Sequence, residues 1–402
     1  MTRKIGVVHP HLSAGGGSEA VALWILDALQ DTADLTLLTS GPIDLPRLND
    51  SYGTNVKPEH LQVLSISPFS VFGVGFDALR SARLARFIRK MSPDLDLMIS
   101  SYNPCDFGRK GLQFIGDFSF DDQVRREFHP GPGGLKDVLY RRSFLRSAYI
   151  RLGKAWSGDW ELGWKENVTV SNSRWTRDLV LARYGIDSTI IYPPVLSART
   201  TMPWEEREDG IVCVGRISPE KRIESLIGIT DRLRERGYPL HVHLLGGKCD
   251  PSYFQRIEKM FRDRRDWVHY EGPVFGGAKE SFLAGHKYGL SGCRHEAFGI
   301  AVAEMVGSGM IPWVPDEGGQ VEVVDHPSLV YRDEDDAALK IVRVLDSRRV
   351  QDEIRERLLP ASRRFSSERF VAEVRNLVSQ LLPGSGRASE ATAALAGPGT
   401  TP

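Results

Sequence analysis

Two glutamates with seven residues between them stand in the run Arg294-His295-Glu296-Ala297-Phe298-Gly299-Ile300-Ala301-Val302-Ala303-Glu304. The Ala/Val/Met pattern after Gly299 predicts a helix that starts near that glycine. Glu296 then lies in the loop before the helix, and Glu304 about one turn in. One carboxylate stands at a cleft edge and the other within reach of the same ligand. Backbone N–H groups at the start of a helix lack intrahelical partners and carry partial positive charge, which suits an anion. A ligand with both hydroxyls and phosphates matches the set. Taken alone, the segment also fits a solvated helix with two unrelated glutamates.

The cations for such a ligand are Arg216 and Lys221, in Val214-Gly215-Arg216-Ile217-Ser218-Pro219-Glu220-Lys221-Arg222. They follow an apolar run and flank a proline that should open the next helix. Arg supplies a planar fork and Lys a point charge, and together they suit a diphosphate. A solvated basic loop is the other reading. Gly15, Gly16 and Gly17 follow the first apolar run of the chain. Glycine there permits close backbone approach to a phosphate, or simply makes a tight turn. No Gly-Lys-Ser/Thr follows, and the third glycine of GxGxxG is missing.

The elements that must hold these residues alternate. Strands are expected over 5–8, 35–38, 62–66, 97–100, 112–115 and 167–170, with helices over 77–90 and 173–184 between the later ones. A linker is expected over 198–209, where Pro203 interrupts a polar stretch. The pattern then restarts. Strands are expected over 211–214, 241–245, 268–270, 288–290 and 311–314, with helices over 223–236, 251–264, 278–284 and 368–382. Two α/β domains follow, with ligand at the carboxyl ends of strands. Residues 384–402 are rich in Gly, Ala, Ser, Thr and Pro and are expected to be disordered.

Bulk properties bound the function. The 402 residues carry 52 Lys+Arg and 52 Asp+Glu, so no global field favours nucleic acid. Cys105, Cys213, Cys249 and Cys293 form no CxxC pair, which argues against a zinc site or a disulfide framework. The apolar run at the amino end is too short for a signal peptide, and no stretch approaches the ~20 residues of a membrane-spanning helix. The expected place is the cytoplasm.

The motifs, in order and spacing, resemble family 4 glycosyltransferases, which have the GT-B fold. The likeness rests on Gly15-Gly16-Gly17-Ser18-Glu19, Val170-Ser171-Asn172-Ser173, the Arg216–Lys221 loop, and Glu296-Ala297-Phe298-Gly299-Ile300 leading to Glu304. In motif style the chain is similar to mannosyltransferases that extend lipid-linked oligosaccharides. The resemblance implies two Rossmann-like doubly wound domains facing a cleft: residues 1–197 for the acceptor and 210–366 for the nucleotide sugar. A C-terminal helix, 367–383, would cross back to the first domain. It further implies that Arg216 and Lys221 hold the donor diphosphate, approached by the amides of Gly15, Gly16 and Gly17. Glu304 would take the ribose hydroxyls and Glu296 the transferred sugar. Phe298, Gly299 and Ile300 would lie along sugar and phosphate, and Gly246 and Val274 near the base. Such enzymes retain anomeric configuration and need no metal or other cofactor.

In one place the chain departs from the family. Relatives carry a His near the reacting sugar, and here Gln113-Phe114-Ile115-Gly116-Asp117-Phe118 has none. Asp117 either takes over a polar contact or caps the next turn, and the donor sugar is left open. His129 further on reads as a surface residue. For the acceptor, residues 78–154 hold 15 Lys/Arg against 8 Asp/Glu. Arg80, Arg83, Arg86, Arg89 and Lys90 share a helical pattern with Leu84, Phe87 and Ile88. Basic and apolar residues interleave again at Arg141, Arg142, Phe144, Arg146 and Arg151. This suits an anionic membrane surface or a polyprenyl- or dolichyl-phosphate-linked acceptor on the inner face of the cell membrane. A core-facing apolar stripe with solvated arginines is the alternative. A sugar-phosphate synthase and a non-catalytic nucleotide-sugar-binding protein are the competing functions.

Overall fold

The computed structural model describes residues 2–12, 16–66, 77–128, 163–196 and 202–382. Expectations for Gly15, His129, the 141–151 segment and the 384–402 tail lie outside those residues.

The first sheet holds β1 (Arg3–Val8), β2 (Ala33–Ser40), β3 (Leu61–Ile66), β4 (Leu97–Ser100), β5 (Leu112–Ile115), β6 (Val168–Ser171) and β7 (Thr189–Ile190), in the order β3-β2-β1-β4-β5-β6-β7. Every pairing is parallel. Parallel sheets bury both faces, which is why the central strands β4 (LMIS) and β5 (LQFI) are buried throughout. The second sheet holds β8 (Glu208–Val214), β9 (His241–Leu245), β10 (Val268–Gly272), β11 (His286–Leu290), β12 (Ile311–Pro315) and β13 (Val330–Tyr331), in the order β10-β9-β8-β11-β12-β13. In both sheets the strand order reverses beside the first strand. Crevices for ligands open at such switch points, outside the carboxyl ends of the strands.

The chain crosses between the sheets twice, and the crossings run side by side: Val195 N–H donates to the Phe365 carbonyl at 2.8 Å. The helix Ser367–Leu381 then returns to the first domain. Phe370, Val374 and Val378 bury themselves in the first core beside Leu23 and Phe114, and Arg375 Nε donates to the Ala28 carbonyl at 2.6 Å. The resemblance implied this return. Glu322 ties the domains from the other side. It accepts from the Arg174 backbone N–H at 2.8 Å and from the Tyr192 hydroxyl at 2.9 Å.

The structure differs from expectation at several elements. β8 begins at Glu208, inside the expected linker, and Trp204 is packed on the second core, donating to Gln351 at 3.2 Å. Pro219 opens a single 3-10 turn, Pro219–Lys221, and the helix Ile223–Glu235 starts only after Arg222 turns left-handed at φ 48°. The helices Leu45–Tyr52, Asp122–Phe128, Glu334–Leu345 and Arg348–Ser362 were not anticipated.

Candidate functional site

The two switch points face each other across a cleft of about 1160 Å³. On the first-domain side β1 runs out into His9 and Pro10, and α1 (Gly17–Leu29) begins with Gly16 as its N-cap. The Gly16 N–H and the Ser18 hydroxyl both donate to Glu19 Oε2, at 3.1 and 2.9 Å, which fixes the start of the helix. Tyr52, at the end of α2 (Leu45–Tyr52), donates to the Gly16 carbonyl at 3.0 Å. Gly17 touches the second domain: a Cβ there would stand 2.5 Å from Ile300 Cδ1. The glycine loop therefore meets the helix Ile300–Gly307 directly.

β4, the neighbour of β1, leads into Ser101 and Tyr102. The Ser101 hydroxyl donates to the Val8 carbonyl at 2.9 Å, so it accepts from His9 Nδ1–H at 2.9 Å. Burial, aided by the charge of His11, pulls the His9 imidazole down to about 3. The ring is neutral, with its lone pair on Nε2. Asp117 follows β5. Its Oδ2 accepts from the Tyr102 hydroxyl at 2.7 Å, and its Oδ1 from Asn103 Nδ2 at 2.7 Å and the Ser119 N–H at 2.9 Å. Asp117 thus braces the turn, and it also lines the cleft.

On the second-domain side, Lys221 and Glu296 meet. Lys221 Nζ donates to Glu296 Oε2 at 2.5 Å, joining loops 75 residues apart. Burial pushes the Glu296 carboxyl up, but the adjacent Lys221 charge and hydrogen bond hold it below the usual carboxylate range. Burial works against the Lys221 ammonium too, and Glu296 outweighs it, so the lysine is raised. The pair is a fixed dipole at the cleft floor. The nearby Cys293 thiol is pushed up to about 12 by burial and stays protonated. Arg216 lies further out, its side chain 68% exposed, with Glu220 at 3.5 Å. It is a cation at the mouth.

Gly299 caps the helix Ile300–Gly307 at φ 95°, a conformation open to glycine. The first turn of that helix lines the cleft through Gly299, Ile300, Ala301 and Val302, and the first N–H groups of a helix lack intrahelical partners. Phe298 itself is 2% exposed, its ring packed on Tyr192 and Phe365. Its side chain is core, and only its backbone can face a ligand. Glu304 lies one turn in and accepts from Lys279 Nζ at 2.5 Å. Gly246, just past β9, whose N–H donates to the Gly272 carbonyl at 2.8 Å, and Val274, just past β10, line the same cleft. The structure therefore gathers Gly16, Gly17, Asp117, Arg216, Lys221, Gly246, Val274, Glu296, Phe298, Gly299, Ile300 and Glu304 around one space.

Sequence reasoning missed His9, Ser101, Tyr52 and Lys279. The only signal was positional: His9 directly follows the first strand, and Lys279 lies on a helix just after a strand of the second domain.

Two parallel Rossmann-type sheets facing a cleft, closed by a returning C-terminal helix, define the GT-B fold. Residues 198–364 match the family model described as glycosyl transferases group 1. The chain is 24% identical over 252 residues to the GDP-Man:Man(3)GlcNAc(2)-PP-Dol alpha-1,2-mannosyltransferase of Dictyostelium discoideum, covering 56% of this chain and 50% of that protein. The human protein of the same description is 24% identical over 239 residues, covering 54% and 49%. The chain thus spans about half the length of the curated relatives it matches. Among solved structures, Anabaena HepE in complex with UDP and glucose superposes with a TM-score of 0.67 at 14% identity, covering 94% of this chain and 99% of that one. WaaG, a glycosyltransferase involved in lipopolysaccharide biosynthesis, gives 0.67 at 14%, covering 95% and 100%. At these identities the structural likeness bears on the fold.

Proposed function

We propose that this protein is a retaining hexosyltransferase. It moves a hexosyl unit of the mannose or glucose type from a nucleoside diphosphate sugar to a glycan or lipid-linked acceptor. One observation carries the reading. Lys221 and Glu296 are locked together at 2.5 Å at the carboxyl end of the second sheet, across the cleft from the start of α1. The naming of the similar mannosyltransferases makes GDP-mannose the first donor to try.

In this reading Lys221 and Arg216 neutralise the donor diphosphate, and the amides at the starts of α1 and of Ile300–Gly307 approach it from opposite domains. Glu304, oriented by Lys279, accepts from the ribose hydroxyls, and Glu296 accepts from hydroxyls of the transferred sugar. The bond from the anomeric carbon to the diphosphate oxygen breaks, and its electron pair leaves with the diphosphate. The acceptor hydroxyl attacks on the same face and passes its proton to the departing oxygen. The protein's share is positioning and stabilisation of leaving-group charge. A Lys→Ala change at such a centre lowers kcat by about 10²–10³-fold. Product analysis after incubation with GDP- and UDP-sugars tests the reading. An inverted anomeric product, or near wild-type transfer by both Lys221→Ala and Glu296→Ala, sinks it.

For the acceptor we favour a lipid-linked molecule reached from the membrane surface. The described helices include none long and apolar enough to cross a membrane. Helix α3 (Asp77–Met91) sends Leu84 and Ile88 into the core and leaves Arg86 and Lys90 exposed. The contact it supports is therefore electrostatic, without apolar insertion. Flotation with anionic vesicles at low and at high salt tests this: binding lost at high salt agrees, and no binding at low salt contradicts.

A further inference from the structure

A second cluster of chemistry-bearing side chains lies at the other end of the second sheet. β8, β9 and β11 are parallel neighbours, so their first residues come together at the amino end. Glu208 opens β8, His241 opens β9 and His286 opens β11, while His243 shares a face with His241 two residues on. Register pairs Glu208 with His286, and Gly210 with His241. A Cβ on Gly210 would stand 2.4 Å from His241 Nε2 and 2.9 Å from His286 Cδ2, so the glycine leaves the space these rings fill. One ligand atom from each of Glu208, His241, His243 and His286 lies within 4.8 Å of all the others.

The outer hydrogen bonds turn lone pairs inward. His243 Nδ1 is 2.7 Å from Glu271 Oε1, and His286 Nδ1 is 2.7 Å from the Phe282 carbonyl. Both partners only accept, so Nδ1 carries the proton in each ring and Nε2 is left bare. The Nε2 atoms of His241, His243 and His286 are all buried with no hydrogen-bond partner among the described residues. His286 is only 5% exposed. Burying unpaired polar atoms is costly, and three of them turned at one another need a shared partner. Carboxylate or carbonyl on the outer nitrogen of an imidazole is also the arrangement that orients metal ligands.

We propose that Glu208, His241, His243 and His286 bind one zinc ion as a structural site that clips together β8, β9 and β11. Zinc takes four N or O ligands at about 2.0–2.2 Å in a tetrahedron, whose edges are then about 3.3 Å. Glu208 Oε2 already lies 3.4 Å from His241 Nε2 and 3.7 Å from His286 Nε2. The site is about 20 Å from the cleft, the length of β8, and takes no part in the transfer proposed above.

The test uses the full chain without a histidine tag, stripped by chelator and titrated with Zn²⁺ alone. The proposal expects one zinc per chain, a Tm about 5 °C higher or more at saturating zinc, and visible absorption of a tetrahedral complex when Co²⁺ replaces it. Glu271→Gln should weaken zinc binding about 10–100-fold by releasing His243. His241→Gln and the solvent-edge change Glu208→Gln should weaken it as well, with circular dichroism unchanged. The exposed Cys249 is the rival ligand, so Cys249→Ser should bind zinc as wild type does. Absence of stoichiometric zinc on the folded wild type, unchanged affinity in His241→Gln, or loss of binding in Cys249→Ser would each overturn the assignment.

Discussion

Lys221 and Glu296 are charge partners before any ligand arrives, which makes their removal informative. Losing Lys221 leaves a partly buried carboxylate uncompensated and, in the proposed reading, strips the diphosphate of a cation. Lys221→Ala should therefore lower kcat by about 10²–10³-fold in a donor-turnover assay. Glu304 acts on the ribose in the proposed reading, away from the reacting bond. Glu304→Gln should raise KM roughly 10-fold or more while leaving kcat nearly unchanged, because a charge-assisted hydrogen bond equal in ground and transition states is lost. His9 gives a pH signature. Its imidazole is lowered to about 3 by burial and by His11, so between roughly pH 6.5 and 3 the unfolded chain binds a proton that the folded one refuses. Stability falls as pH falls through that window, by up to about 1.4 kcal/mol per pH unit from this group. Urea midpoints of wild type and His9→Gln, followed downward from pH 7, check it: the variant should show the shallower slope. Glu296, Glu304, Arg216 and Lys221 were legible in sequence because strand and helix patterns placed them at strand ends. Lys279 and His9 were not, because pairing across 25 residues to Glu304 or across 92 to Ser101 leaves no periodicity to read.

Elements were legible where period and punctuation agreed. The strands 97–100, 112–115 and 241–245 match their expected bounds, since apolar runs there stop at turn residues. The two-residue strands β7 and β13 are too short for any period. The helix Arg348–Ser362 hides behind its charge and an internal Pro360, because only Gln351, Ile354 and Leu358 are buried. For the basic helix α3 the sequence left two readings open. Leu84 and Ile88, packed under the arginines, answer for the apolar face. The returning helix Ser367–Leu381 carries its own prediction. Phe370 is 1% exposed and packs 6.3 Å from Phe114 between ring centres. Phe370→Ala should destabilise the first domain by about 3–5 kcal/mol, read as a lower urea midpoint. An unchanged midpoint would mean that the helix contributes nothing to that core.

At the scale of the molecule, two switch points meet because the chain crosses twice and clasps itself at Val195–Phe365 and at Glu322. The repeat of strand and helix patterns announced the two α/β units, but the facing of their sheets comes from contacts such as Gly17 on Ile300, which local pattern does not encode. The histidine cluster shows the same limit. His241 and His243 share a strand, but Glu208 and His286 lie on two others, and only the order β9-β8-β11 brings the four to one place. In the proposed reading the cleft between the sheets turns over a nucleoside diphosphate sugar on the Lys221–Glu296 pair. Release of nucleoside diphosphate from a panel of GDP- and UDP-sugars, by wild type and by Lys221→Ala, tests it most directly. Wild type should release nucleoside diphosphate from one donor class, with GDP-mannose first in line, and the variant at a rate about 10²–10³-fold lower. Equal rates from the two proteins, or no release from any donor with acceptor present, would contradict it.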